Sequence, residues 1–165
     1  MSDYTVVVNA TPVILLHGID QLELLRLLYA KIYIPEAVYA EVITDCDEKI
    51  NGHDFIKDND WIEVVRIHNT GAKKLFTTSL HAGEVETMIL AMQTTADLCI
   101  LDDLLARKHA KYIGLSITGT LGVLVAAKNR GLIKEVKPLV DRLIEAGMFV
   151  DKDLYSSVLI SAEEE

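Results

Sequence analysis

The run "YTVVVN" at 4–9 most constrains the fold, because its centre is apolar and β-branched at every position instead of at every second one. A strand of that kind is buried on both faces, which is the environment of a central strand in a helix-covered sheet. The rest of the chain alternates accordingly. "GIDQLELLRLLYA" (18–30) is expected to be helical, capped by Asp20 and Glu23 as a D-x-x-E box, with Leu24, Leu27 and Leu28 at helical spacing. "KIYI" (31–34) predicts a second strand, and Pro35 is expected to start a helix, "PEAVYAEVI" (35–43), at a first-turn position where its missing N–H is harmless. The polar interval Thr44 to Asp60 predicts a short helix with loops, and "WIEVVRI" (61–67) alternates as a third strand.

Val85, Met88, Ile89 and Met92 share one side of a helix expected over Thr78 to Thr94. "DLCIL" (97–101) follows as a fourth strand, "LLARKHAKYIG" (104–114) as a helix and "LSIT" (115–118) as a short strand. Gly119 leads a helix that stops at Gly131, "KEVKPLVDRLIEAG" (134–147) predicts another despite Pro138, and a last helix runs from Asp151 towards the acidic end. Strands alternating with helices imply an α/β fold, a mainly parallel sheet of four to five strands with helices on both faces. At 165 residues the chain suits one domain, 1–165, with an acidic tail over about 161–165 whose Glu163-Glu164-Glu165 is expected to be solvated.

Composition excludes several classes. The longest apolar runs are five or six residues, far short of the roughly 20 that a membrane span needs. No export leader precedes Tyr4, and Cys46 and Cys99 lack a CxxC spacing, so a cytoplasmic protein with reduced thiols is expected. The net charge of −9 argues against broad nonspecific nucleic-acid binding. Yet between Leu104 and Arg142 eight Lys or Arg stand against Glu135 and Asp141, either as solvated helix faces or as an edge that tracks phosphates.

In an open parallel sheet the strand C-terminal ends share one edge, and ligands bind there. Asn9 ends the first strand and Asp102 and Asp103 end the fourth, so the three are expected to share a cleft. Glu41 and Glu84 add carboxylates from helices, and Gly83 would allow another backbone to approach closely. Like charges about 4 Å apart repel by roughly 4 kcal/mol at an effective dielectric near 20, so gathered acids call for a cation. Oxygen-only ligands select Mg²⁺ or Mn²⁺. The histidines His17, His53, His68, His81 and His109 show no zinc-ligand spacing and are expected to be structural. Each acid also has an ordinary role open to it: Glu41 and Glu84 as solvated helix residues, and Asp103 as the cap of the helix that follows. A phosphoacceptor receiver domain would carry its paired acids after strand one, whereas here they follow strand four.

"NATP", "IPEAVYAEV", "GEVETMILA", "ILDDLLAR" and "GLSITGTLGVL", in this order, resemble the PIN-domain nucleases, the fold of VapC-type toxins and RNA-processing endonucleases. The resemblance spans about residues 4 to 160 and implies a PIN-like three-layer α/β/α fold. It also implies a metal-dependent endoribonuclease of single-stranded RNA, in the setting of a toxin–antitoxin pair, with a cognate antitoxin protein and a homodimer as partners. The family's acid after strand one falls at Asn9, its early helical Glu at Glu41, its central acid at Glu84, and its Asp after strand four at Asp103, with Asp102 as competitor. Thr11 matches the hydroxyl that follows the first acid, Thr118 and Thr120 lie where another loop nears the cleft, and Arg107 and Lys108 would steer the RNA backbone. The departure is Asn9, an amide where most members have Asp. An amide oxygen can ligate a cation but supplies no charge, and two-metal cleavage relies on carboxylates to hold ions about 3.5–4 Å apart. The alternative reading is therefore a weakened or inactive member that binds RNA or a partner.

Overall fold

The computed structural model describes residues 4–47, 54–76 and 79–165. In chain order the elements are β1 (Val6–Val8), α1 (Ala10–Gly18), α2 (Glu23–Tyr29), β2 (Ile32–Pro35), α3 (Glu36–Asp47), α4 (Phe55–Asp58) and β3 (Ile62–Val65). A 3-10 turn (Thr70–Leu75) leads to α5 (Ala82–Gln93), β4 (Leu98–Ile100), α6 (Leu104–Tyr112), β5 (Ile117–Thr118), α7 (Thr120–Asn129), α8 (Lys137–Glu145) and α9 (Lys152–Ser161). The five strands form one parallel sheet in the order β3-β2-β1-β4-β5. Helices cover both faces, giving a three-layer α/β/α architecture.

The unbroken apolar run of β1 has a direct cause in this arrangement. Val6 and Val8 point into one core with α1, α2, α7 and α8, while Val7 points into the other with Cys99, α5 and α6. Both faces of the strand are dry, so no polar alternation survives. Cys99 is fully buried, and that burial pushes its thiol up to about 12, the behaviour of an inert core residue. The side chain of Cys46 lies outside the described residues.

Order also positions the site. The chain lays down β1, builds outward through β2 and β3, then crosses back to place β4 on the other side of β1. The switch point lies between β1 and β4, whose pairing runs Val6 to Leu98, Val7 to Cys99 and Val8 to Ile100. The register brings Asn9 and Leu101–Asp103 to the same edge.

Several local expectations are corrected. Residues 10–18 form a helix that the sequence reading left unassigned, with Pro12 tolerated in its first turn. The helix expected over 18–30 is broken, because Asp20 takes a left-handed conformation (φ 58) and cannot cap. Leu22 precedes α2 instead, and Glu23 pairs with Arg26. Pro35 closes β2 opposite Val65, and α3 begins one residue later. The helix expected from 134 starts at Lys137, since Pro138 must sit in a first turn. Gly131 ends α7 in a left-handed conformation (φ 75), as expected. Thr78, part of Thr44–Asp60 and His53 lie outside the described residues. His17 stacks on Phe55 with ring centroids 3.8 Å apart, a packing role. No helix among the described residues is long and apolar enough to cross a membrane.

The acidic end is not uniformly solvated. Glu164 accepts hydrogen bonds from the Val136 N–H at 2.6 Å, the Lys137 N–H at 2.9 Å and Lys128 Nζ at 2.9 Å. It thereby ties the end of the chain to the start of α8. Burial acts to raise its carboxyl, but the donors on Val136, Lys137 and Lys128 outweigh it and hold the group below its ordinary value. A depressed folded pKa contributes stability above the unfolded value and loses it as pH falls through the folded one. Glu164→Ala is therefore expected to cost about 1–3 kcal/mol at neutral pH. Thermal melts should show the difference from the parent shrinking in acid, and equal melting temperatures at pH 7 would contradict the tether.

Candidate active site

Asn9 is the residue at which β1 becomes α1. Its N–H donates to Ile100 O at 2.9 Å, closing the β1–β4 pairing, and its side chain is only 4% exposed. It stands at the N-cap of α1 without capping it. Thr87 of α5 shares its one hydroxyl proton between Gly83 O at 2.6 Å and Asn9 Oδ1 at 3.2 Å. The amide is thus positioned by α5 and not by its own helix.

Glu41 and Glu84 reach the same place because α3 packs against both α1 and α5. Glu84 is buried, and one of its oxygens accepts the His81 N–H at 2.9 Å, so it caps α5 while standing near enough to Glu41 to act on its charge. Glu41 is half-buried. Both side chains border Gly83: a Cβ there would lie 3.4 Å from Glu41 Oε1 and 3.7 Å from Asn9 Oδ1, ordinary contact distances. Its nearest neighbours are side chains, not the backbone expected from the sequence, and at these distances a Cβ would fit. Burial pushes the Glu41 carboxyl up, with neighbouring Asp45 and Glu84 adding to the shift and His81 opposing it.

The second group forms around the end of β4. Asp102 accepts the Thr120 N–H at 2.8 Å with Oδ1 and the Thr120 hydroxyl at 2.6 Å with Oδ2. Gly119 makes this possible, since a Cβ there would stand 2.6 Å from Asp102 Oδ1 and 2.8 Å from Arg107 Nη1. Arg107 Nη1 donates to Leu101 O at 3.1 Å, which holds the guanidinium beside the loop. Thr118 ends β5 against Gly122 of α7. Asp103 diverges from its neighbour: it is exposed and caps α6 by accepting the Ala106 N–H at 2.9 Å.

Asn9, Glu41 and Glu84 therefore form one group, and Asp102, Thr118, Thr120 and Arg107 another along the same sheet edge. Thr11 is exposed on the first turn of α1. Lys108 faces a separate groove with Leu75, Phe76 and Tyr112. The sequence reading missed Thr87 and Gly119. Thr87 follows Glu84 by three residues, a helical spacing that put both on one face, and Gly119 sits between the two threonines that were singled out.

The donor set is oxygen only, which suits a hard cation. Among the described residues no three His, Cys, Asp or Glu side chains form a ready metal group. The carboxylates of Glu84, Asp102 and Asp103 already accept protein donors, while burial and the like charges of Asp45 and Glu84 push the Glu41 carboxyl up. A cation beside Gly83 would offset those charges, so the residues fit such an ion through Glu41 and Asn9 first.

A family model described as a PIN domain matches residues 5–164. A comparison with curated proteins found no match.

Proposed function

The chain belongs to the PIN-domain family, and from that premise we propose that it is a divalent-metal-dependent endoribonuclease that hydrolyses phosphodiester bonds of single-stranded RNA. The observation that supports this reading is that Glu41 and Asn9 oxygens both border Gly83, with Glu84 close enough to act on Glu41, at the sheet edge that carries Asp102. Glu41, Asn9, Glu84 and Asp102 would hold Mg²⁺ or Mn²⁺, and Asp103 would have to give up its bond to the Ala106 N–H to join them. Bound there, the ion supplies Lewis acidity that activates water and neutralises charge on the phosphate. Asn9 contributes an oxygen without charge and is kept in place by Thr87. Arg107, anchored on Leu101 O, offers its remaining donors to a phosphate oxygen. Thr120 holds Asp102 in a fixed rotamer, and Thr118 borders the same loop. Thr11 stands on the first turn of α1, where free N–H groups favour an anion. The proposed setting is a cytoplasmic toxin–antitoxin pair, with the antitoxin and a second copy of the chain as protein partners.

A second reading follows from Asn9 itself. An amide in place of an acid weakens cation binding, and such a chain would retain RNA without cutting it. One assay separates the two: cleavage of a mixed RNA panel with Mg²⁺, Mn²⁺ or chelator, using the parent chain, Glu84→Ala, Asp103→Ala and Asn9→Asp. The nuclease reading expects metal-dependent cleavage by the parent and a loss of about 10²-fold or more in both alanine variants. Cleavage that survives both alanine changes sinks the assignment of the acids. Cleavage only by Asn9→Asp identifies the parent as the weakened form.

A further inference from the structure

The Asp102 end of the site opens into a cavity of about 450 Å³ whose lining is part polar and part apolar. Asp102, Arg107 and Asp151 are the charged groups of its lining, and Leu121, Phe149 and Leu154 are among the apolar ones. Phe149, on the link between α8 and α9, is 85% exposed, and Leu154 is 42% exposed. An aromatic ring left in water beside a polar cleft is an unusual placement, and a cluster of exposed apolar side chains marks a binding surface. The geometry points to a nucleobase subsite, in which a base of single-stranded RNA next to the reacting phosphate stacks on Phe149. This rests on the nuclease reading and names how the same site grips its substrate.

Two features favour a base over another occupant. A base has flat apolar faces and polar edges, matching a cavity lined by both apolar and polar side chains. The cavity is continuous with the site through Asp102, Thr118 and Gly119, so a base seated there leaves its own phosphate beside Arg107. Stacking of this kind is tolerant of base identity, since every base presents a π-face.

The test uses Phe149→Trp in chelator, so that no cleavage is needed. The parent has one tryptophan, Trp61, and it is buried, so a tryptophan at 149 is the exposed reporter. Short single-stranded RNA should quench its fluorescence saturably, whereas a ribose-phosphate strand lacking bases should bind about tenfold more weakly and leave the emission unchanged. Phe149→Ala should weaken binding of a labelled oligonucleotide by about tenfold, and Phe149→Tyr should restore it. Equal binding of the baseless strand, or no change in Phe149→Ala, overturns the subsite. Emission that responds only to protein concentration would assign the patch to a second copy of the chain and also overturn it. Quenching without any metal-dependent cleavage would leave the subsite standing and remove the nuclease reading. Cleavage without quenching would do the reverse.

Discussion

Glu41→Gln is expected to abolish most cleavage, by about 10²–10³-fold, while making the metal-free protein more stable. The two effects have one cause. Burial, with Asp45 and Glu84 adding like charge, holds the Glu41 carboxyl above its ordinary 4.5. The folded state therefore disfavours the ionised form that function requires. Stability linked to this group is fully present below the unfolded value and is lost as pH rises through the raised folded value. In chelator, the parent should melt below Glu41→Gln at neutral pH, and the two should converge in acid. The group is only part-buried, so solvent screening keeps the gain small, and its sign is the informative part. Added Mg²⁺ should raise the melting temperature of the parent and leave Glu41→Gln unmoved. A Mg²⁺ response preserved in the glutamine variant would remove Glu41 from the ion's shell.

Asp102→Ala is expected to act on stability as strongly as on chemistry. Both Asp102 oxygens hold Thr120, one through the backbone N–H and one through the hydroxyl, and Thr120 is fully buried. Removing the carboxylate strands two buried donors, at about 3 kcal/mol. For a chain of this length that lowers the melting temperature by roughly 6–12 °C. Asp102→Asn keeps an acceptor for one of the two donors and should recover part of the loss in stability. It removes the charge, so cleavage should not recover with it. The double variant with Thr120→Val should cost less than the two single changes together, since both break one contact. Additive losses would show that Asp102 and Thr120 stabilise the fold independently.

Much of this was legible in the chain. The continuous β-branched run of β1 announced a strand buried on both faces, and the alternation of strands and helices announced the parallel sheet. Asn9 and Asp102-Asp103 could be placed at one edge because strand ends in such sheets are not free to scatter. The failures were local. The helix 10–18 was hidden by Thr11 and Pro12, which read as a break although a proline is harmless in a first turn. Asp20 had the residue type of a cap but a left-handed backbone, set by how α1 turns into α2. Glu164 looked like a solvated acid because nothing nearby in sequence reveals that the start of α8 lies within reach.

Sequence alone determined the layered architecture, since periodicity and β-branching are properties of neighbouring residues. It also determined the oxygen-only chemistry of the candidate donors, which follows from residue type. Tertiary structure alone decided how those donors divide. It turned Asp102 towards Thr120 and left Asp103 outside as a cap, although the two are adjacent. It set Glu41 and Asn9 on either side of Gly83, through packing between segments far apart in the chain. Direction and proximity of side chains are set by the register of distant elements, and no local pattern carries that information.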